Sequence, residues 1–159
     1  IDRPRHVELV KEIRRVGARI KMISDGDILG AISTCFDYTG VDILMGIGGA
    51  PEGVIAAAAL KCLGGELQGI MKPATKEQKQ RCIDMGVNLE KIYYVDDLAK
   101  GDQLSFAATG VSYGELLDGV KYMENNTAST HTLVLRSETG TVRFIESIHY
   151  LDKKPKYAK

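Results

Sequence analysis

Asp42-Ile43-Leu44-Met45-Gly46-Ile47-Gly48-Gly49-Ala50-Pro51-Glu52-Gly53 runs directly into the apolar, alanine-rich stretch 54–63. The fold turns on how this segment is read. Residues 41–47 are short and apolar, which predicts a buried strand. Residues 48–53 predict a tight loop, because glycine admits positive φ and lets backbone approach a ligand closely. Residues 54–63 predict a buried helix, closed by Gly64-Gly65. Strand, glycine turn and helix in succession indicate an α/β layered domain. The turn is not a dinucleotide fingerprint, since its glycines miss the G-x-G-x-x-G spacing, and it lacks the Lys-Ser/Thr of a P-loop. It is a candidate anion loop. Glu52 follows Pro51 in the first helical turn, where a carboxylate can hold a divalent cation that bridges to phosphate. The competing reading is a plain strand-to-helix turn, with Glu52 favoured by the helix dipole.

Towards the N-terminus, Leu9, Ile13 and Val16 repeat at helical spacing. Asp2 is the expected N-cap, Pro4 sits early in the helix, and Gly17 stops it. Residues 18–24 alternate like a strand, Ser24-Asp25-Gly26-Asp27 is a turn, and residues 28–36 resume as a helix. Towards the C-terminus, residues 66–71 predict a strand, and residues 75–85 a polar-faced helix with Thr75 as N-cap. Residues 92–95 and 104–108 predict short strands. Residues 130–136 and 141–150 predict a hairpin about the Ser137-Glu138-Thr139-Gly140 turn. Together these describe one α/β layered sandwich with a mixed sheet over residues 1–150. Residues 151–159 read as a disordered basic tail.

Composition narrows the function. The chain has 159 residues, enough for one domain with a real core. Lys+Arg is 21 and Asp+Glu is 21. The zero balance argues against a globally basic nucleic-acid binder and against a membrane-surface protein held by net charge. No apolar run approaches the roughly 18 residues of a membrane span. No signal peptide is recognisable, so the expected location is the cytoplasm. Cys35, Cys62 and Cys82 are far apart and lack metal-ligand spacing, as expected of free or buried thiols in a reducing compartment. The chain opens on Ile1 and goes straight into a motif-bearing helix, so it is expected to be the second half of something longer.

Two further places carry candidate chemistry. Arg3-Pro4-Arg5-His6 puts two arginines at a helix N-terminus, where positive charge is unfavourable unless an anion joins it. The alternative is a pair of solvated arginines on a frayed end. Asp25-Gly26-Asp27 puts two carboxylates where a strand gives way to a helix, able to accept bonds from sugar hydroxyls or to help bind a metal. The alternative is a helix cap at Asp27 with Asp25 in water. His131 and His149 read as cross-strand residues, and Tyr93-Tyr94 as sheet packing. Thr109-Gly110-Val111-Ser112 has no assignable role. No Ser-His-Asp or Cys-His arrangement is recognisable.

Five segments in this order, DRPRH (2–6), ISDGD (23–27), DILMGIGGAPEG (42–53), FAATGVS (106–112) and RSETGTVRFIE (136–146), resemble the C-terminal half of class II fructose-1,6-bisphosphatases of the GlpX type. The likeness runs from Arg3 to about His149. It implies the layered α/β fold of the lithium-sensitive sugar and inositol phosphatases. It implies Mg²⁺- or Mn²⁺-dependent removal of the 1-phosphate of fructose 1,6-bisphosphate, with sedoheptulose 1,7-bisphosphate a second substrate in some members. Such activity belongs to gluconeogenesis, glycerol metabolism or Calvin-type carbon metabolism. By the same resemblance Arg3, Pro4 and Arg5 bind substrate phosphate. Asp25, Gly26 and Asp27 contact the sugar, Gly49 contacts substrate, and Glu52 is a metal ligand. The family's N-terminal half supplies the other metal carboxylates and the residues that orient water. No catalytic residue is therefore expected in this chain. It is expected to be inactive alone, to pair with the missing half, and to form a homo-oligomer, with no nucleic acid or membrane partner. Two alternatives stay open: another phosphatase of the same fold, or a non-catalytic sugar-phosphate-binding module.

Overall fold

The computed structural model describes residues 1–155, and β5 (Thr127–Arg136) is the strand everything else is built on. Along one edge it pairs over its whole length with β6 (Thr141–Tyr150), from Thr127 opposite Tyr150 to Arg136 opposite Thr141. Its other edge is shared by β3 (Ser105–Thr109) and β4 (Lys121–Met123). The predicted hairpin is thus present and three residues longer at its start. Ser137 anchors its turn: the hydroxyl accepts from Leu104 N–H at 2.7 Å and donates to the Asp102 carbonyl at 2.6 Å. A second hairpin joins β4 to β5 through Asn125 and Asn126, both at positive φ. Asparagine tolerates that region better than other non-glycine residues.

α1 (Val7–Arg15) follows a 3₁₀ turn, Pro4–His6, and ends before Gly17 at φ 81°. α2 (Asp27–Ser33) and α3 (Ala50–Leu63) pack on one another and share a core with the sheet of β5, and α3 also meets β3 and β5. Alanines at 56, 57 and 59 give α3 a thin buried face that admits close neighbours. Ile32, Ala59, Cys62, Phe106, Leu117, Leu133 and Leu135 form the main core. Leu133 and Leu135 point inward from alternate positions of β5, as period-2 patterning requires. Ala31, Ala56, Leu60 and Val95 form a smaller cluster beneath α5 (Val95–Leu98). α4 (Lys76–Asp84) starts as expected, with Thr75 Oγ1 accepting from Gln78 N–H at 3.2 Å.

Several expectations are corrected. Every strand pairing among the described residues is antiparallel, so the sheet is not mixed. Asp2 is not a side-chain cap; its N–H bonds the Ile23 carbonyl at 2.9 Å. Residues 18–24 and 41–47 form neither strand nor helix. Ile43 is 69% exposed, and Leu44, Met45 and Ile47 are exposed too. Apolar alternation favours an extended chain, but a strand also needs a neighbour's N–H and C=O groups. Residues 66–71 and 92–95 shrink to the short antiparallel pair β1 (Gln68–Gly69) and β2 (Tyr93–Tyr94). After β2 the chain turns at once into α5, with Asp97 accepting from Tyr94 N–H at 3.0 Å. Part of the expected disordered tail is a 3₁₀ turn, Leu151–Lys153, held by Asn126 to Asp152; residues 156–159 lie outside the described residues. No helix among the described residues is long and apolar enough to cross a membrane.

Candidate substrate and metal site

The arginine motif and the glycine loop meet in space. Pro4 opens the 3₁₀ turn, where its missing N–H costs nothing. Arg5 Nε donates to the Ile47 carbonyl at 2.8 Å. Ile47 N–H donates to His6 Nε2 at 2.9 Å, and His6 Nδ1 lies 2.6 Å from the Ile1 carbonyl. Arg3 stays exposed, with its guanidinium on the neighbouring Asp2 carbonyl at 2.9 Å.

The two carboxylates arrive from helix starts. Gly26, at φ 80°, turns the chain so that Asp27 opens α2. Gly49 is the N-cap of α3, which places Glu52 in its first turn. A β-carbon on Gly48 would lie 3.1 Å from Asp27 Oδ2, and one on Gly49 would collide with Glu52 Oε2. Consecutive glycines are therefore flanked by the two acids, which any side chain there would displace. Asp27 and Glu52 also line one open cleft of about 510 Å³. Its walls are Gly26, Ile28, Leu29 and Ile55 on the helix side and residues 106–109 of β3 with Leu117 on the sheet side. Asp25 is exposed and does not line this cleft, and neither do Arg3 and Arg5.

This arrangement suits a cation and an anion together. Neither Asp27 nor Glu52 has a salt bridge among the described residues. Their hard oxygens fit Mg²⁺ or Mn²⁺, which take one or two carboxylates plus phosphate and water. No group of three or more His, Cys, Asp or Glu side chains able to hold a metal ion exists among the described residues. The opening N–H groups of α3 have no acceptor within the helix and favour an anion beside them.

Two contributors escaped the sequence reading. The wall from Phe106 to Thr109 comes from the strand expected over residues 104–108, to which the sequence gives no part in the site; of residues 109–112, without an assigned role, only Thr109 lines the cleft. His6 was read only as the end of an arginine motif. The other titratable side chains have structural duties. His131 Nδ1 accepts from Asp118 N–H at 3.2 Å across from Glu146, and His149 Nε2 pairs with Thr130 Oγ1 at 2.9 Å. Burial pushes the Cys35 and Cys62 thiols up, which leaves both poor nucleophiles near neutral pH.

Comparison with known proteins gives a consistent result. Residues 1–149 match the family described as bacterial fructose-1,6-bisphosphatase, glpX-encoded. The chain is 42% identical to the D-fructose 1,6-bisphosphatase class 2/sedoheptulose 1,7-bisphosphatase of Microcystis aeruginosa, over 99% of this chain and 49% of that protein. It is 43% identical to the protein of the same name from Synechococcus sp., over 96% of this chain and 47% of that one. For the Trichodesmium erythraeum protein of that name the identity is 44%, over 94% and 47%. The chain spans about half the length of these curated relatives. The match over residues 1–149 takes in the arginine turn, both carboxylates and the glycine pair alike, and the chain belongs to the glpX-encoded bacterial fructose-1,6-bisphosphatase family.

Proposed function

We propose that this chain is the C-terminal half of a metal-dependent sugar-bisphosphate phosphatase that removes the 1-phosphate of fructose 1,6-bisphosphate, and in the same site that of sedoheptulose 1,7-bisphosphate. The reading rests chiefly on Asp27 and Glu52 facing one cleft across the Gly48-Gly49 notch, next to the Arg5-bound loop. Arg5, with Arg3 beside it, anchors the non-reacting phosphate, and that remote binding energy places the reacting end. Asp27 accepts from sugar hydroxyls at the cleft wall, and Asp25 does so at its rim. Gly49 lets the sugar phosphate approach the backbone, and Glu52 offers a carboxylate oxygen to Mn²⁺ or Mg²⁺. Such an ion, when bound, neutralises phosphoryl oxygens and lowers the pKa of a coordinated water. Carboxylates from the other half complete the shell.

The other half also has a place to bind. Residues 42–46 carry no backbone hydrogen bond among the described residues and offer exposed apolar side chains beside the site, as a strand does when its sheet is incomplete. In this reading the two halves close into the layered fold of the lithium-sensitive phosphatases, and the free edge of β6 serves contacts between copies.

The test is inorganic-phosphate release by the full-length protein from each bisphosphate, with Mn²⁺ or Mg²⁺ and with EDTA. Release that EDTA abolishes is expected. Tight bisphosphate binding without release would instead make the protein a sugar-phosphate-binding module.

A further inference from the structure

His6 is 4% exposed, while Arg3, Pro4 and Arg5 on the same turn are exposed. Its ring touches two distant stretches of backbone, at Ile1 and Ile47. The partners fix its tautomer. A peptide N–H only donates, so Nε2, which receives Ile47 N–H at 2.9 Å, carries the lone pair, and its 3.3 Å approach to the Ile47 carbonyl is then no hydrogen bond. A carbonyl only accepts, so Nδ1, 2.6 Å from the Ile1 oxygen, carries the hydrogen. Gly46 lies against the ring: a β-carbon there would stand in van der Waals contact with it, 3.4 Å from Nε2. The Ile47 peptide groups are thus held from both sides, the N–H by His6 and the C=O by Arg5 Nε. The next residues are Gly48 and Gly49, which lack side chains to hold their own conformation and lie against Asp27 and Glu52.

We infer that His6 is a positioning residue. Its imidazole sets the Ile47 peptide, and through it both the Gly48-Gly49 notch and the direction of the Arg5 guanidinium. With Nε on the Ile47 carbonyl, Arg5 keeps its two terminal nitrogens for an anion. His6 itself touches no substrate. The inference deepens the proposed phosphatase reading and rests on it for the identity of that anion.

The experiment uses the full-length protein and three variants. In His6→Gln the amide oxygen reaches the place of Nε2 and accepts from Ile47 N–H. In His6→Asn the shorter amide reaches only the place of Nδ1 and bonds the Ile1 carbonyl. His6→Ala keeps neither. Three readouts are taken: amide hydrogen exchange at residues 47–49, affinity for inorganic phosphate, and KM against kcat for fructose 1,6-bisphosphate. Loss of an orienting hydrogen bond of this kind typically weakens a site by about 10–100-fold. The expected result is faster exchange and about tenfold or greater loss of phosphate affinity in His6→Asn and His6→Ala. KM should rise by the same factor with kcat little changed, and His6→Gln should restore all three. The inference is overturned if all variants match the wild type. It is equally overturned if Gln and Asn are impaired alike in step with their melting temperatures, which is the mark of a merely structural residue. If the wild type hydrolyses no bisphosphate, the phosphatase reading fails, while exchange and inorganic-phosphate affinity still decide the role of His6.

Discussion

The β5–β6 hairpin and residues 41–47 carry the same kind of text, short runs of apolar and β-branched residues, and they fold differently. In the hairpin that text becomes a ladder from Thr127–Tyr150 to Arg136–Thr141, and Leu133 is 0% exposed. In residues 41–47 it forms no strand and no ladder, and Ile43, Leu44, Met45 and Ile47 are exposed. The difference lies in sequence distance. The partner of β5 is a four-residue turn away, so the pairing forms locally at little loop-closure cost. No described strand pairs with residues 41–47. The site sits on the boundary between these regimes. Its carboxylates are fixed by helix starts packed on the paired sheet, and its glycine loop hangs from the unpaired segment, held there by His6 and Arg5.

The contrast can be broken or sharpened by substitution. Leu133→Ala opens a cavity in the buried face of β5 and should lower the unfolding free energy by about 2–5 kcal/mol in a denaturant melt. Arg5→Ala removes a charged partner from the loop and, in the proposed reading, from the phosphate. In the full-length enzyme it should raise KM for the bisphosphate by about tenfold or more, since charge-assisted bonds contribute about 1.5–3 kcal/mol. An unchanged KM would remove the phosphate-anchor role. Thr75→Ala deletes the cap of α4, remote from the cleft, and should cost about 1 kcal/mol in the melt with kinetics untouched. Leu44→Ala should change the stability of the 159-residue chain by less than about 0.5 kcal/mol, as expected of an exposed side chain. If another segment covers it in the full-length protein, as proposed, the same substitution there should approach the cost of Leu133→Ala. Equal small effects in both would mean that nothing pairs with residues 41–47.

What the sequence makes legible is local. Gly17 and Gly64 stop their helices at positive φ, Thr75 caps α4, and the Ser137-to-Gly140 turn closes the long hairpin. Each signal acts within a few residues of itself. The Asn125-Asn126 turn was equally local and was overlooked, and β4 was lost with it. Strand existence at 18–24 and 41–47 was not legible, because alternation does not specify a partner. Within the site, Asp27, Gly49 and Glu52 stand out by their place at helix starts; Asp27 and Glu52 line one cleft, and Gly49 lies against Glu52. Arg3, Arg5 and Asp25 share those motifs but do not line the cleft. The His6–Ile47 bond joins residues 41 positions apart, beyond the reach of any local pattern.

The central claim is that Glu52 holds the divalent cation at the notch beside Asp27. It is tested most directly by the Mn²⁺ activation curve for phosphate release from fructose 1,6-bisphosphate by full-length wild type and Glu52→Gln. The amide keeps the shape of the side chain and removes its charge. The account predicts a melt close to that of the wild type, with release reduced by more than about a hundredfold, or activation shifted to far higher Mn²⁺. A Glu52→Gln enzyme that follows the wild-type activation curve would contradict it.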